Sequence, residues 1–245
     1  MIGAWVFKIS ALTAHTSPAN LMEHTLTKPF TALLGALLLC GCQTSDPLSA
    51  ENDQKARWWN LEFVAPIYMT AWVEASLVED IQGNLYNHGS AGVIGSGDYG
   101  YENELARGWP NGLSGSGIRG VVGADLPKRI FVRWQSVVES QTYRAWIDIP
   151  DEARVIMHDA THRRCPETPD RSASYMASLY LGLAPGGIVQ AWVRDRCHQP
   201  IKVARGKAEV EPLGPHLGKS GGHYYPQPSA SKRYVQTHGI PYGSW

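Results

Sequence analysis

Between Arg129 and Pro150 the chain reads RIFVRWQSVVESQTYRAWIDIP, in which apolar and polar residues alternate in two runs joined by a short connection. Ile130, Val132 and Trp134 fall on one face, against Phe131, Arg133 and Gln135. Tyr143, Ala145, Ile147 and Ile149 then share a face against Thr142, Arg144, Trp146 and Asp148. A period of two makes each run a strand with one buried side, and two such runs joined locally make an antiparallel hairpin. A hairpin alone is marginal in water, so the apolar face demands a second layer. On the wet face, Arg133, Glu139 and Arg144 are placed to form cross-strand charge pairs.

Other segments repeat the theme. In APIYMTAWVEASLVED, Ile67, Met69, Ala71, Val73, Ala75 and Leu77 alternate with Tyr68, Thr70, Trp72, Glu74 and Ser76, which predicts a half-buried strand. YMASLYLGLAPGGIVQAWVRDRC reads as strand, turn, strand, broken at Pro185-Gly186-Gly187, and PIKVARGKAEVEP supplies a last strand. DEARVIMHD, residues 151–159, starts with two acidic residues after Pro150 and predicts a short helix. Eleven of the 25 glycines fall within residues 89–123, as turns and loops between strands require. The expectation is one mainly antiparallel β domain over residues 57–212, a sandwich of about seven to nine strands with one or two short helices. Residues 42–56 read as a polar tether, and residues 213–245, rich in Gly, Pro, Tyr and His, as a flexible or extended tail.

The address comes from FTALLGALLLCGCQ, residues 30–43. Its uncharged core is too short to span a bilayer, which needs about 20 apolar residues, and has the form of a secretion signal. Leu39-Cys40-Gly41-Cys42 resembles the lipobox of bacterial lipoproteins, which implies removal of residues 1–41 and lipidation of Cys42. Met22 would open a signal of ordinary length. Gln43, where Asp would favour inner-membrane retention, points by the same resemblance to the outer membrane, facing the periplasm. The membrane is then a partner through the anchor. Nucleic acid is not, because 22 basic and 22 acidic residues leave no net field to attract a polyanion.

In that oxidising compartment the two remaining cysteines, Cys165 and Cys197, are expected to form a disulfide. The alternative is a metal site drawn from His158, His162, Cys165, Cys197 and His198, although the spacing is irregular and Arg163 and Arg164 lie among the ligands. Neither GxGxxG match, Gly95 to Gly100 or Gly115 to Gly120, is followed by a helical pattern, so no nucleotide cofactor is implied. Gly214 to Ser220 has one residue too few for a phosphate loop. Gly112-Leu-Ser114-Gly-Ser116 lacks the last glycine of a hydrolase elbow. No residue is assigned a catalytic role, and Asp151 and Glu152 are explained by the helix start. Of the nine tryptophans, Trp134, Trp146 and Trp192 lie inside strand patterns and are expected in the core or between the sheets, whereas Trp58, Trp59 and Trp109 lie near loops and are the candidates for contact with a partner.

RWQSVVESQTYRAWIDIP and LGLAPGGIVQAWV, together with the lipobox, resemble a domain family of unknown function found in proteobacterial lipoproteins. The resemblance covers roughly residues 58–212 and rests on sheet and turn residues, so it implies fold rather than chemistry. Members of such families occur near type VI secretion effectors, lipases included. That association implies an immunity protein that neutralises a secreted toxin. The alternative is a structural or carbohydrate-binding lipoprotein of the envelope, held for instance on peptidoglycan.

Overall fold

A computed structural model describes residues 58–95, 105, 107–113, 116–173, 177–195, 197 and 199–245. Two sheets face each other. One has the order β10-β9-β8-β1-β5, formed by Ile201–Lys207, Ile188–Arg194, Ser178–Ala184, Trp59–Val64 and Ser116–Val121. The other has the order β11-β7-β6-β2-β3, formed by Glu209–Val210, Gln141–Asp148, Pro127–Ser136, Ala71–Asp80 and Leu85–Gly89. A short β4, Gly92–Ile94, also pairs with β2. All pairings are antiparallel except β1 with β8. This is the mainly β, two-layer architecture that the alternation implies, and the described residues add two short α-helices, α1 (Asp151–Asp159) and α2 (Ser229–His238).

The inner faces meet as the pattern requires. Leu61 and Phe63 of β1, Leu179, Leu181 and Leu183 of β8, and Val189 and Ala191 of β9 are fully buried. So are Val73, Ile130, Val132 and Trp134 opposite them. Full burial of each Leu, Ile, Val or Phe side chain among these stabilises the fold by about 1.5–3 kcal/mol. The expected hairpin is β6–β7, turning through a tight Val137–Glu139 coil, and the strand-turn-strand around Pro185 is β8–β9.

The strand over Ala71–Asp80 departs from strict alternation. A bulge between Val73 and Ala75 shifts the register against β6, so Val78 is buried while Leu77 is only half-buried. The arginines are also not paired as expected. Arg133 Nε donates to Glu74 Oε2 of the bulge at 2.8 Å, and Arg144 Nε to Glu209 Oε1 at 2.9 Å. Glu139 instead accepts from the Gly186 amide at 2.9 Å and from the Tyr242 hydroxyl at 2.8 Å. Burial and this carboxylate push the Tyr242 hydroxyl pKa up to about 12.

The C-terminal segment is folded where a flexible or extended tail is expected. It crosses the outer face of the second sheet, where Tyr225 stacks on Trp72 with ring centroids 4.7 Å apart. There the His216 amide donates to Glu74 Oε1 (2.7 Å) and the Tyr225 amide to Gln135 Oε1 (2.7 Å). Helix α2 then buries Tyr234 against Tyr68, and Trp245 is buried in the same cluster. These contacts are few and aperiodic, so no amphipathic pattern announces them.

On the outer face of the first sheet, Trp109 meets Trp192 edge-on at 5.0 Å and lies over Gly182. A methyl group on Gly182 would fall 2.5 Å from the Trp109 ring and 2.7 Å from that of Trp192. Gly182→Ala is therefore expected to displace Trp109 and lower the stability by about 1–3 kcal/mol, measured by urea unfolding. An unchanged midpoint would show that Trp109 is not seated on the sheet.

Candidate functional site

At the pole where β1 begins, four connections surround an open cleft of about 510 Å³. Trp58 and Trp59 lead into β1. Asp80, Gln82 and Asn84 form the β2–β3 turn, with Tyr86 just beyond it. Gly123 to Leu126 join β5 to β6, and Met157, His158 and Thr161 come from the end of α1. The floor is apolar and buried, made by Trp59, Ala124, Met157 and Ala177. The rim is polar and open, with Gln82, Asn84, Asp125 and His158 exposed and Trp58 42 % exposed.

Asp80 organises this pole. Its side chain is almost fully buried, and Oδ1 accepts from the Gln82 and Asn84 amides at 2.9 Å each. Oδ2 accepts from Asn84 Nδ2 and the Asp125 amide at 3.3 Å each. One carboxylate thus ties the β2–β3 turn to the β5–β6 connection. Burial alone would raise its pKa, but the amides of Asn84, Asp125 and Gln82 and the Asn84 side chain together outweigh burial and hold it below the usual 3.8. Asp125 closes the rim. Its Oδ1 accepts from the Leu126 amide (2.7 Å), its Oδ2 from Gln82 Nε2 (3.4 Å), and its carbonyl from Trp59 Nε1 (3.4 Å). The Tyr86 hydroxyl donates to the Gly123 carbonyl at 3.1 Å, and burial is the first cause that pushes its pKa up.

Over residues 46–243 the chain matches the family model described as Protein of unknown function (DUF2931). It belongs to that family. No curated protein and no solved structure matches it. The match extends well past β11, so the C-terminal segment is part of the DUF2931 domain rather than an appendage to it.

The DUF2931 fold brings together some of the residues singled out from sequence and separates others. Trp58 and Trp59 both line the cleft, but only Trp58 is open to a partner, because Trp59 is 3 % exposed and packs in the core. Trp109 lies elsewhere, held on the first sheet by Gly182 and Trp192. Cys165 and Cys197 form the disulfide, with Cα atoms 5.4 Å apart. The bridge takes both thiolates from the alternative metal set. It leaves His158 beside His162, ring centroids 5.1 Å apart, with His158 at the cleft. His198, Cys42 and the Gly97 to Gly100 part of the first glycine motif lie outside the described residues. Of the second motif, Ser116 to Gly120 fall on β5 and open no helix, and Gly115 lies outside the described residues. Sequence reasoning missed Asp80, Asn84, Tyr86 and Asp125, whose one local signal is the Asp-x-x-Gly-Asn turn after β2.

A second surface lies on the outside of the DUF2931 sheet. The bulge places Leu77 opposite Phe131, which is itself opposite Trp146, in a cross-strand row. Trp146, expected in the core, is 41 % exposed because it sits in the polar phase of β7. Phe131 and Trp146 ring centroids are 5.4 Å apart, and the Arg129 guanidinium lies 4.4 Å from the Trp146 ring.

A pH dependence follows from Asp80. A depressed carboxylate pKa contributes stability that is present above 3.8 and lost as pH falls through the lower folded-state value. Asp80→Asn is expected to cost about 1–3 kcal/mol at pH 7, because an amide N–H would face the turn's donors. It should also flatten the loss of stability below pH 3.8, read from urea midpoints at pH 7 and in acid. A variant with the wild-type acid slope would place that slope elsewhere.

Proposed function

We propose that this DUF2931 chain is a non-enzymatic binding protein, tethered through lipidated Cys42 to the periplasmic face of the outer membrane, and that the cleft beside Trp58 holds its ligand. The cleft carries this reading. It joins an apolar floor to a polar rim within the size range of about 300–1,000 Å³ typical of ligand sites. Its carboxylates are engaged by N–H groups of the two connections that they join, which supports holding a ligand in place over transferring its protons. A photo-crosslinking residue in place of Gln82, on the rim, is expected to capture an envelope component in living cells. The same residue in place of exposed Lys207, on β10, should not. Equal labelling at both positions would remove the cleft from the reading.

The row Leu77, Phe131 and Trp146 favours a second reading, an immunity protein that neutralises a secreted toxin such as a lipase. Exposed Trp and Arg stacked on one rigid face have the composition of a protein-binding hot spot. Replacing Trp146 and Arg129 together by Ala should weaken toxin binding by about 2 kcal/mol or more, roughly thirtyfold. Cells carrying that variant should lose protection while keeping its level in the envelope. Full protection by the double variant against every toxin that the wild type blocks would falsify this reading.

A further inference from the structure

The chemistry of the cleft narrows its ligand further. We infer that the cleft takes a neutral saccharide, with the flat face of a sugar ring against Trp58 and its hydroxyl or acetamido groups at the rim formed by Gln82, Asn84 and Asp125. The inference rests on the reading of the cleft as the ligand site.

Charge removes one class of ligand. Among the described residues no Lys or Arg lines the cleft, while Asp80 and Asp125 do, so a phosphate or carboxylate would lose water on these walls without gaining a cation from them. A cationic amine is served little better. Asp80 already accepts four hydrogen bonds and is 1 % exposed, whereas the exposed Asp125 accepts one on each oxygen, from Leu126 and Gln82, and keeps lone pairs that a hydroxyl donor can use. Beside Asp125 the rim carries the neutral side-chain amides of Gln82 and Asn84 and the His158 ring.

Polarity removes a second class. An acyl chain would meet the buried floor of Trp59, Ala124, Met157 and Ala177 but would strip water from the exposed amides above it. A sugar ring matches both layers, since its C–H faces are apolar and its substituents are hydrogen-bonding groups around the edge. Trp58 is suited to the first of these contacts. It lies outside the strand, and 42 % of its surface is open, whereas the neighbouring Trp59 is held in the core.

The test uses the full chain in a detergent without a sugar headgroup, titrated calorimetrically with the neutral tetrasaccharides chitotetraose and maltotetraose. Saturable binding of either is expected. Trp58→Ala should raise its Kd about tenfold or more, as loss of a stacked ring predicts. Trp58→Tyr should restore most of the affinity, and Trp146→Ala, on the other surface, should leave it unchanged. Equal melting temperatures for wild type and Trp58→Ala show that the fold is intact. If neither saccharide binds while the crosslinker at position 82 still captures an envelope component, the ligand class is wrong and the cleft stands. If a saccharide binds equally well to Trp58→Ala, or if neither binds and no crosslink forms, the cleft is not the saccharide site.

Discussion

The whole architecture depends on the backbone of β1. The first described strand lies inside its sheet, hydrogen-bonded on one side to β8 and on the other to β5. Both rows of its N–H and C=O groups are thereby satisfied in a buried position that water could not serve. Its side chains do equal work, because Trp59, Leu61 and Phe63 fill the space between the sheets. Without β1, β5 has no sheet to join and the cleft loses the wall that Trp58 and Trp59 provide. The candidate site is therefore a by-product of how the first sheet is completed.

The opposite pole is closed by the other end of the domain. Glu74 and Gln135 are buried on an outer sheet face because amides of the C-terminal segment reach down to them, and the Gln135 amide nitrogen donates to Glu74 at 2.8 Å. Tyr68 adopts a left-handed backbone conformation with φ of 64°, which costs a non-glycine residue on the order of 1–3 kcal/mol. Its ring is stacked 4.5 Å from that of Tyr234, and its carbonyl accepts from the Ser231 hydroxyl at 2.6 Å. The strained turn and the segment that overlies it thus support each other, so this segment is an integral layer of the domain.

What could be read from sequence follows the range of the interactions involved. The β6–β7 and β8–β9 hairpins and α1 were legible because their patterns are local and uninterrupted. The phase of β2 was half legible, since the bulge at Glu74 exchanges its faces midway. Trp146 was misplaced because an aromatic residue in a strand reads as core, although its position in the alternation had already put it on the polar face. The C-terminal segment was not legible at all, because Tyr225, Tyr234 and Trp245 make single contacts with no period. The cleft was seen only at Trp58 and Trp59. Asp80 and Asp125 are far apart in sequence, and only the meeting of two turns makes them neighbours.

The placement of β1 also sets a timetable for assembly. Its parallel partner β8 lies far downstream, so Leu61 and Phe63 have no sheet to enter until most of the chain is available. Hairpins such as β6–β7 can close early, but joining the first and eighth strands requires a large loop to be closed first, which places the domain among slow-folding, non-local β topologies. During that interval an apolar strand near the start of the domain keeps at least the edge meant for β8 open, a form of intermediate prone to pair with a neighbour. A chain delivered across a membrane with its N-terminus first would expose that strand longest, and would depend on being held apart from its copies until β8 arrives.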